Sequence, residues 1–298
     1  MANISTRKSG NIATVLCGVL AALWFGFFML AKWPAAHASA GIAAGLQALA
    51  LILFVAVHAS LSNGWRGFAA FLGIVLIVSF LAEASSIATG FPFGLFTHNV
   101  AGPKPLGVPL HVPLSYAVLG WLAWTLARLI IRDHPNHAFS FNRFTTPILA
   151  TFILAGYDFA YDPIGATVLK TWTYQHPSGY FGVPLSNLLG WLLSGWVFFQ
   201  LFALIEYRLP PRNPVTLKFG YWLLPCLIWG ASALQYPIEF LLAPSGSVAV
   251  DGRSFMAADI YEAGVMSALL TTVFTALTAT LRLCANSSIH RPHQEQRI

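Results

Sequence analysis

Phe144-Thr145-Thr146-Pro147-Ile148-Leu149-Ala150-Thr151-Phe152-Ile153-Leu154-Ala155-Gly156-Tyr157-Asp158-Phe159-Ala160-Tyr161-Asp162-Pro163 is one apolar run that closes on two aspartates four residues apart. A hydrocarbon core about 30 Å thick asks about 20 apolar residues of a crossing helix, and this run has that length. Carboxyls inside such a segment are costly to keep, so their presence points to chemistry.

Seven more runs of the same kind lie on either side, over residues 12–31, 42–61, 68–88, 112–131, 187–207, 219–243 and 258–283. They are continuous rather than alternating with period two, which excludes a β-barrel. With 57% hydrophobic residues, 9% charged residues and a mean hydropathy of +0.67, the chain reads as a multi-pass protein of the cell membrane. The expected fold is all-α, a bundle of about eight transmembrane helices. Connections are short and no repeat or low-complexity segment divides the chain, so 1–298 is expected to form a single integral-membrane domain.

Charge placement tests the count independently, because cytoplasmic ends carry the Lys/Arg excess. With the N-terminus inside, Arg7, Lys8, Arg66, Arg128, Arg132, Arg143, Arg208, Arg212, Lys218, Arg282, Arg291 and Arg297 fall on one face, against Lys32, Lys104, Lys170 and Arg253 on the other. This partition predicts that both termini are cytoplasmic. The net charge of +6 is then a topology signal, and nucleic acid is not an expected partner. Arg7 and Lys8 followed by Ala36-His37-Ala38 resemble a signal peptide with its cleavage site, but the apolar region is too long and a retained helix is expected. Cys17, Cys226 and Cys284 match no metal or redox spacing and read as packing residues.

Acidic residues are distributed the opposite way. Glu83, Asp158, Asp162, Glu239, Asp259 and Glu262 all fall on the non-cytoplasmic side. Asp259 and Glu262 suit the first turn of a helix, where the macrodipole favours acids. Asp162 before Pro163 can terminate a helix, and Ser186 and Asn187 can cap the next one. Glu83, Asp158 and Glu239 lie deep in apolar sequence and need a hydrogen-bond partner, a proton or a wet cavity.

Residues i and i+4 share a helix face, so Asp158 and Asp162 point into one space, with Tyr157 and Tyr161 displaced by about 100°. Two neighbouring carboxyls in a dry site cannot both ionise easily, so one is expected to hold a proton. A neutral acid among aromatic rings suits protonation of an alkene, since the rings stabilise the cation that forms. Phe91, Phe93, Phe96, Trp172, Tyr174, Tyr180, Phe181 and Tyr236 are predicted near that face. The Gly/Pro-rich connection over 89–111 is expected to fold as a cap above the pocket. His98, His111 and His176 form no metal-binding pattern and read as interfacial hydrogen-bonders, so neither metal nor cofactor is expected.

These residues carry a resemblance. Glu83 followed by Thr89-Gly90-Phe91-Pro92-Phe93-Gly94, then Asp158 with Asp162-Pro163, Trp172, Tyr180-Phe181-Gly182-Val183-Pro184-Leu185, Asn187 and Gly190-Trp191, is similar to the membrane-embedded carotenoid-biosynthesis hydratase family, over about residues 70–200. His98 after the Pro-Phe-Gly turn and Ser115-Tyr116 at the start of the fourth run depart from the aromatic residues expected there. The resemblance implies a hydro-lyase that adds water across the terminal isopropylidene double bond of an acyclic carotenoid. Its expected partners are the carotenoid, water, membrane lipid and other enzymes of carotenoid synthesis. On the residues' own chemistry, Asp158 or Asp162 would be the acid and Glu83 or Glu239 would accept the proton of water. Tyr157, Tyr161, Asn187 and the rings named above, other than Tyr174, would contact substrate. A carotenoid cyclase, a prenyltransferase using Asp158 and Asp162 for Mg²⁺, and a carotenoid-binding or transport protein are the alternatives.

Overall fold

The computed structural model describes residues 2–33, 39–131, 141–209 and 219–289, with side chains described between residues 12 and 285. Arg132, Asp133, Arg212, Lys218, Arg291, Glu295 and Arg297, the side chains of Arg7 and Lys8, and the Ala36-His37-Ala38 stretch lie outside the described residues.

The chain is built from α1 (Ala2–Lys32), α2 (Ala40–Thr89), β1 (Phe96–His98), α3 (His111–Ile131), α4 (Asn142–Pro163), β2 (Trp172–Tyr174), α5 (Leu185–Glu206), α6 (Phe219–Ser232), α7 (Gln235–Leu241), β3 (Ser247–Val250), β4 (Arg253–Met256), α8 (Ala257–Ala268) and α9 (Phe274–Ile289). The apolar runs are largely helical, and the run over 219–243 is broken at 233–234 into α6 and α7. Among the described residues, five helical stretches are long and apolar enough to cross a membrane: Ile12–Lys32, Ala40–Thr89, His111–Ile131, Leu185–Glu206 and Ala257–Ala285. The second of these merges two of the runs. Its 50 residues would extend about 75 Å at the helical rise, more than twice the hydrocarbon thickness. The backbone leaves helical geometry at Gly64 (φ 75°, ψ 161°), a conformation that glycine tolerates.

α4 occupies the middle of the bundle, against α3, α5 and α8. α2 lies against α1, α3 and α5, while α9 packs on α3 and α6. Small residues let these helices approach closely, as lipid-embedded bundles require. A Cβ on Gly195 of α5 would stand 3.2 Å from Thr151 of α4, and one on Gly156 of α4 would stand 3.0 Å from Thr271. The core between them is aromatic, with Trp121, Trp124, Phe71, Phe198, Phe199 and Phe202 buried together. Large apolar side chains face outward instead along α1, α2, α5 and α9, among them Val15, Ile77, Leu189 and Phe274. An apolar exterior over a packed interior is the arrangement that lipid solvates.

Two local features depart from the expectation. The fold is helical but not purely so: β1 pairs antiparallel with β2, and β3 pairs with β4. Nor does Asp162 stop its helix. Pro163 has no N–H to give, and α4 runs on into a wider turn over Ile164–Val168, with the Leu169 N–H donating to the Ile164 carbonyl at 2.8 Å. Thr171 returns to this turn through both its N–H and its hydroxyl, each 2.9 Å from the Gly165 carbonyl. Trp172 covers Gly165 so closely that a Cβ there would meet the indole at 2.3 Å.

The 89–111 connection folds over this region through β1. In the ribbon Phe96 lies opposite Tyr174, Thr97 opposite Thr173 and His98 opposite Trp172. Strand side chains alternate, so Phe96, His98, Trp172 and Tyr174 share the inner face. Both threonines face outward and are exposed. Asn99 closes the ribbon by donating to the Lys170 carbonyl (2.8 Å) and the Thr173 hydroxyl (2.7 Å).

Candidate active site

Asp158 and Asp162 lie one helical turn apart on α4 and are 8% and 2% exposed, so each needs a polar partner. One side chain serves both. The Asn187 amide donates to Asp158 Oδ2 at 3.2 Å and makes a close contact with Asp162 Oδ2. Asn187 therefore does not cap α5. That place is taken by Pro184, while Ser186 donates to the Phe93 carbonyl at 3.2 Å. Asp162 Oδ2 accepts a second bond, from the Tyr174 hydroxyl at 3.1 Å. Burial, together with the charges of Asp162 and Asp158, pushes the Tyr174 phenol well above its usual range, so it remains a donor.

Glu83 of α2, 5% exposed, joins the aspartates in one electrostatic neighbourhood. Its Oε1 accepts the Tyr116 hydroxyl of α3 at 2.8 Å, and its Oε2 lies 3.0 Å from His98 Nε2 of β1. The ribbon thus places a polar tip from each strand on a different acid, Tyr174 on Asp162 and His98 on Glu83. Tyr116 stacks flat on Trp191 of α5, with centroids 4.3 Å apart and planes at 4°. Phe93 tilts against the same indole at 6.1 Å, and Phe96 meets Tyr174 edge-on at 6.0 Å. Aromatic rings thus gather beside the carboxyl cluster, and the face of such a ring attracts a cation.

The remaining sequence candidates are spread around this centre. Phe93 and Phe96 are buried beside it, whereas Phe91 is 64% exposed and turned away. Trp172 packs near Tyr161, with centroids 6.1 Å apart. Tyr180 stacks on Phe159 at 4.5 Å and bonds Ser267, and Phe181 leans on Phe255 of β4. The Tyr180-Phe181-Gly182-Val183 turn has positive φ at both central residues, 50° and 92°. A Cβ on Gly182 would stand 2.7 Å from Val250, so glycine is the residue that lets this turn pack under β3.

Glu239 is not brought to the aspartates. It pairs with Lys32 of α1 and interacts electrostatically with Tyr157, Tyr161, Tyr236 and Tyr261. Tyr236 is fully buried and packs on Gly264 of α8, where a Cβ would meet its ring at 3.1 Å. Tyr157 packs on Trp229 at 5.4 Å. Among the described residues, no group of three or more His, Cys, Asp or Glu is arranged to hold a metal ion. Three residues that complete the centre, His98, Tyr116 and Trp191, were not among the expected site residues. The first two stand where the sequence departs from the aromatic pattern, which is the one signal that marks them.

A family profile described as carotenoid biosynthesis protein matches residues 43–243. A bisanhydrobacterioruberin hydratase from Haloarcula japonica is 38% identical over 128 residues, which are 42% of this chain and 41% of that protein. The chain thus spans about two fifths of the length of the curated relative it matches. No solved structure matches. The profile covers more than half of the chain, including α4, the ribbon and every residue of the carboxyl cluster, and the chain accordingly belongs to the carotenoid biosynthesis protein family.

Proposed function

We propose that this protein is a carotenoid hydratase, which adds water to the terminal double bond of an acyclic carotenoid end group and leaves a tertiary hydroxyl. The observation that carries the reading is the single amide of Asn187 bridging two buried aspartates within an aromatic wall. Asp162 accepts two donors and Asp158 one, so a proton shared by the pair resides on Asp158. Asp158 gives that proton to the alkene, and a tertiary cation forms beside the Tyr116–Trp191 stack. Water adds from the Glu83 side, and this arm of the site takes the proton that water loses. The chemistry uses side chains alone, and the product carries the elements of one water.

The same reading places eight spans in the cell membrane with both termini cytoplasmic. It is supported by the helices that cover most of the apolar runs, and by the way their ends meet. Arg128 and Glu206, from the last turns of α3 and α5, join Asn63 beside the α2 joint, while Lys32 meets Glu239 at another end. A polyene lying in lipid would then present its end to the acids at the outer interface.

Expression in a lycopene-producing host, followed by mass analysis of the pigments, tests the function. Products heavier by one or two waters are expected, and Asp158→Asn should abolish them while the protein still inserts in the membrane. Unchanged mass with shorter-wavelength absorption would indicate cyclisation instead, and a five-carbon gain would indicate prenyl transfer. Retained hydration by Asp158→Asn would remove Asp158 from the mechanism.

A further inference from the structure

We infer that the atom receiving the proton of the attacking water is Nδ1 of His98, and that Glu83 is the group that positions this imidazole. The inference rests on the hydratase reading and names a base for it.

Both oxygens of Glu83 are already in use. Oε1 accepts Tyr116 and Oε2 faces His98 Nε2. When Glu83 is ionised, Nε2 must carry the hydrogen, which leaves the lone pair of the neutral ring on Nδ1. A carboxylate that holds one ring nitrogen and frees the other is the relation that orients a histidine general base. The ring has little freedom to turn away. Phe96 meets it edge-on at 5.2 Å and 88°, the Lys104 ammonium holds its backbone carbonyl at 2.9 Å, and ribbon pairing fixes it opposite Trp172. Its side chain keeps 8% of its surface exposed, so water reaches a ring that is otherwise enclosed.

The other described histidines lack this arrangement. His58 is sealed in the core, and its Nδ1 already accepts the Trp121 indole N–H at 3.1 Å. His111 and His176 are exposed.

The step balances. The alkene π pair forms a C–H bond with the aspartate proton, and a lone pair of water forms the C–O bond to the tertiary cation. One O–H bond of the bound water then breaks, and its proton goes to Nδ1. The imidazolium releases that proton to solvent and the aspartate pair regains one from solvent. The sum is alkene plus water giving alcohol.

The test uses the full-length protein in detergent, with lycopene as substrate in D₂O. His98→Gln keeps a donor for Glu83 but has no basic nitrogen. Its kcat for hydration should fall about 100-fold or more with little change in KM. Recovered alkene should still gain deuterium, because the aspartate pair still protonates it and the cation reverts. Free imidazole should restore hydration to His98→Gly.

Wild-type kcat in His98→Gln would overturn the assignment while leaving the hydratase reading intact. Loss of deuterium incorporation together with hydration would also overturn it, by showing that the residue only holds the fold. A wild type that neither hydrates nor deuterates the alkene would defeat the hydratase reading itself.

Discussion

Replacing Gly190 with alanine should cost both stability and rate, because α5 has no room for a methyl group there. A Cβ at this position would stand 2.4 Å from Phe93 Cδ1 and 2.9 Å from the backbone carbon and oxygen of Pro92. Carbon atoms pack at about 3.5–4.0 Å, so the Pro92–Phe93 turn must retreat by roughly 1 Å. It is poorly placed to do so. Phe93 is 1% exposed, its N–H donates to Ser86 Oγ at 2.7 Å, and its carbonyl accepts Ser186. Overpacking of this kind costs about 1–3 kcal/mol. The displaced turn also leads within three residues to β1, which carries His98. A misplacement of about 1 Å at a catalytic group can lower rate by about 100-fold. Gly73 is the control, since a Cβ there meets nothing within 4 Å and alanine should gain about 0.5–1 kcal/mol of helix stability. Both variants should be purified in detergent, unfolded thermally with far-UV circular dichroism as the readout, and assayed for pigment hydration. If Gly190→Ala melts with Gly73→Ala and hydrates at the wild-type rate, the turn does not position the site.

Tyr174→Phe removes one of the two donors to Asp162 and leaves the ring in place; hydration should slow about tenfold or more, with substrate affinity little changed, as measured by steady-state kinetics. Arg128→Met removes the guanidinium that Glu206 accepts at 3.0 Å. Both charged side chains are partly solvated, at 14% and 23% exposure, so thermal unfolding should report a loss of about 1–2 kcal/mol, with hydration per folded molecule unchanged.

The helices and the acid pair were legible in the sequence because both obey short, regular spacings. Apolar runs of membrane length announce helices, and a four-residue interval places Asp158 and Asp162 on one face without any knowledge of the neighbours. The ribbon was not legible. Three-residue strands are too short to show an alternating pattern, and the pairing of Phe96 with Tyr174 spans a distance in sequence over which no local rule acts. Without it, His98 looks like an isolated interfacial histidine. Asn187 was readable equally as a helix cap or a contact residue, and the choice depended on Pro184 filling the cap. The grouping of Glu239 with the aspartates rested on sidedness alone. Sharing a membrane face does not bring side chains together, and Glu239 is drawn to Lys32.

The β1–β2 ribbon also bears on when the protein becomes active. Its strands flank α3 and α4, so the acids acquire Tyr174 and His98 only after both helices have been made and docked. Contacts between distant segments close late, since the loop entropy must be met before they are rewarded. A chain still being inserted therefore carries its carboxyls unassembled. The carboxyl cluster is therefore complete only in the finished fold.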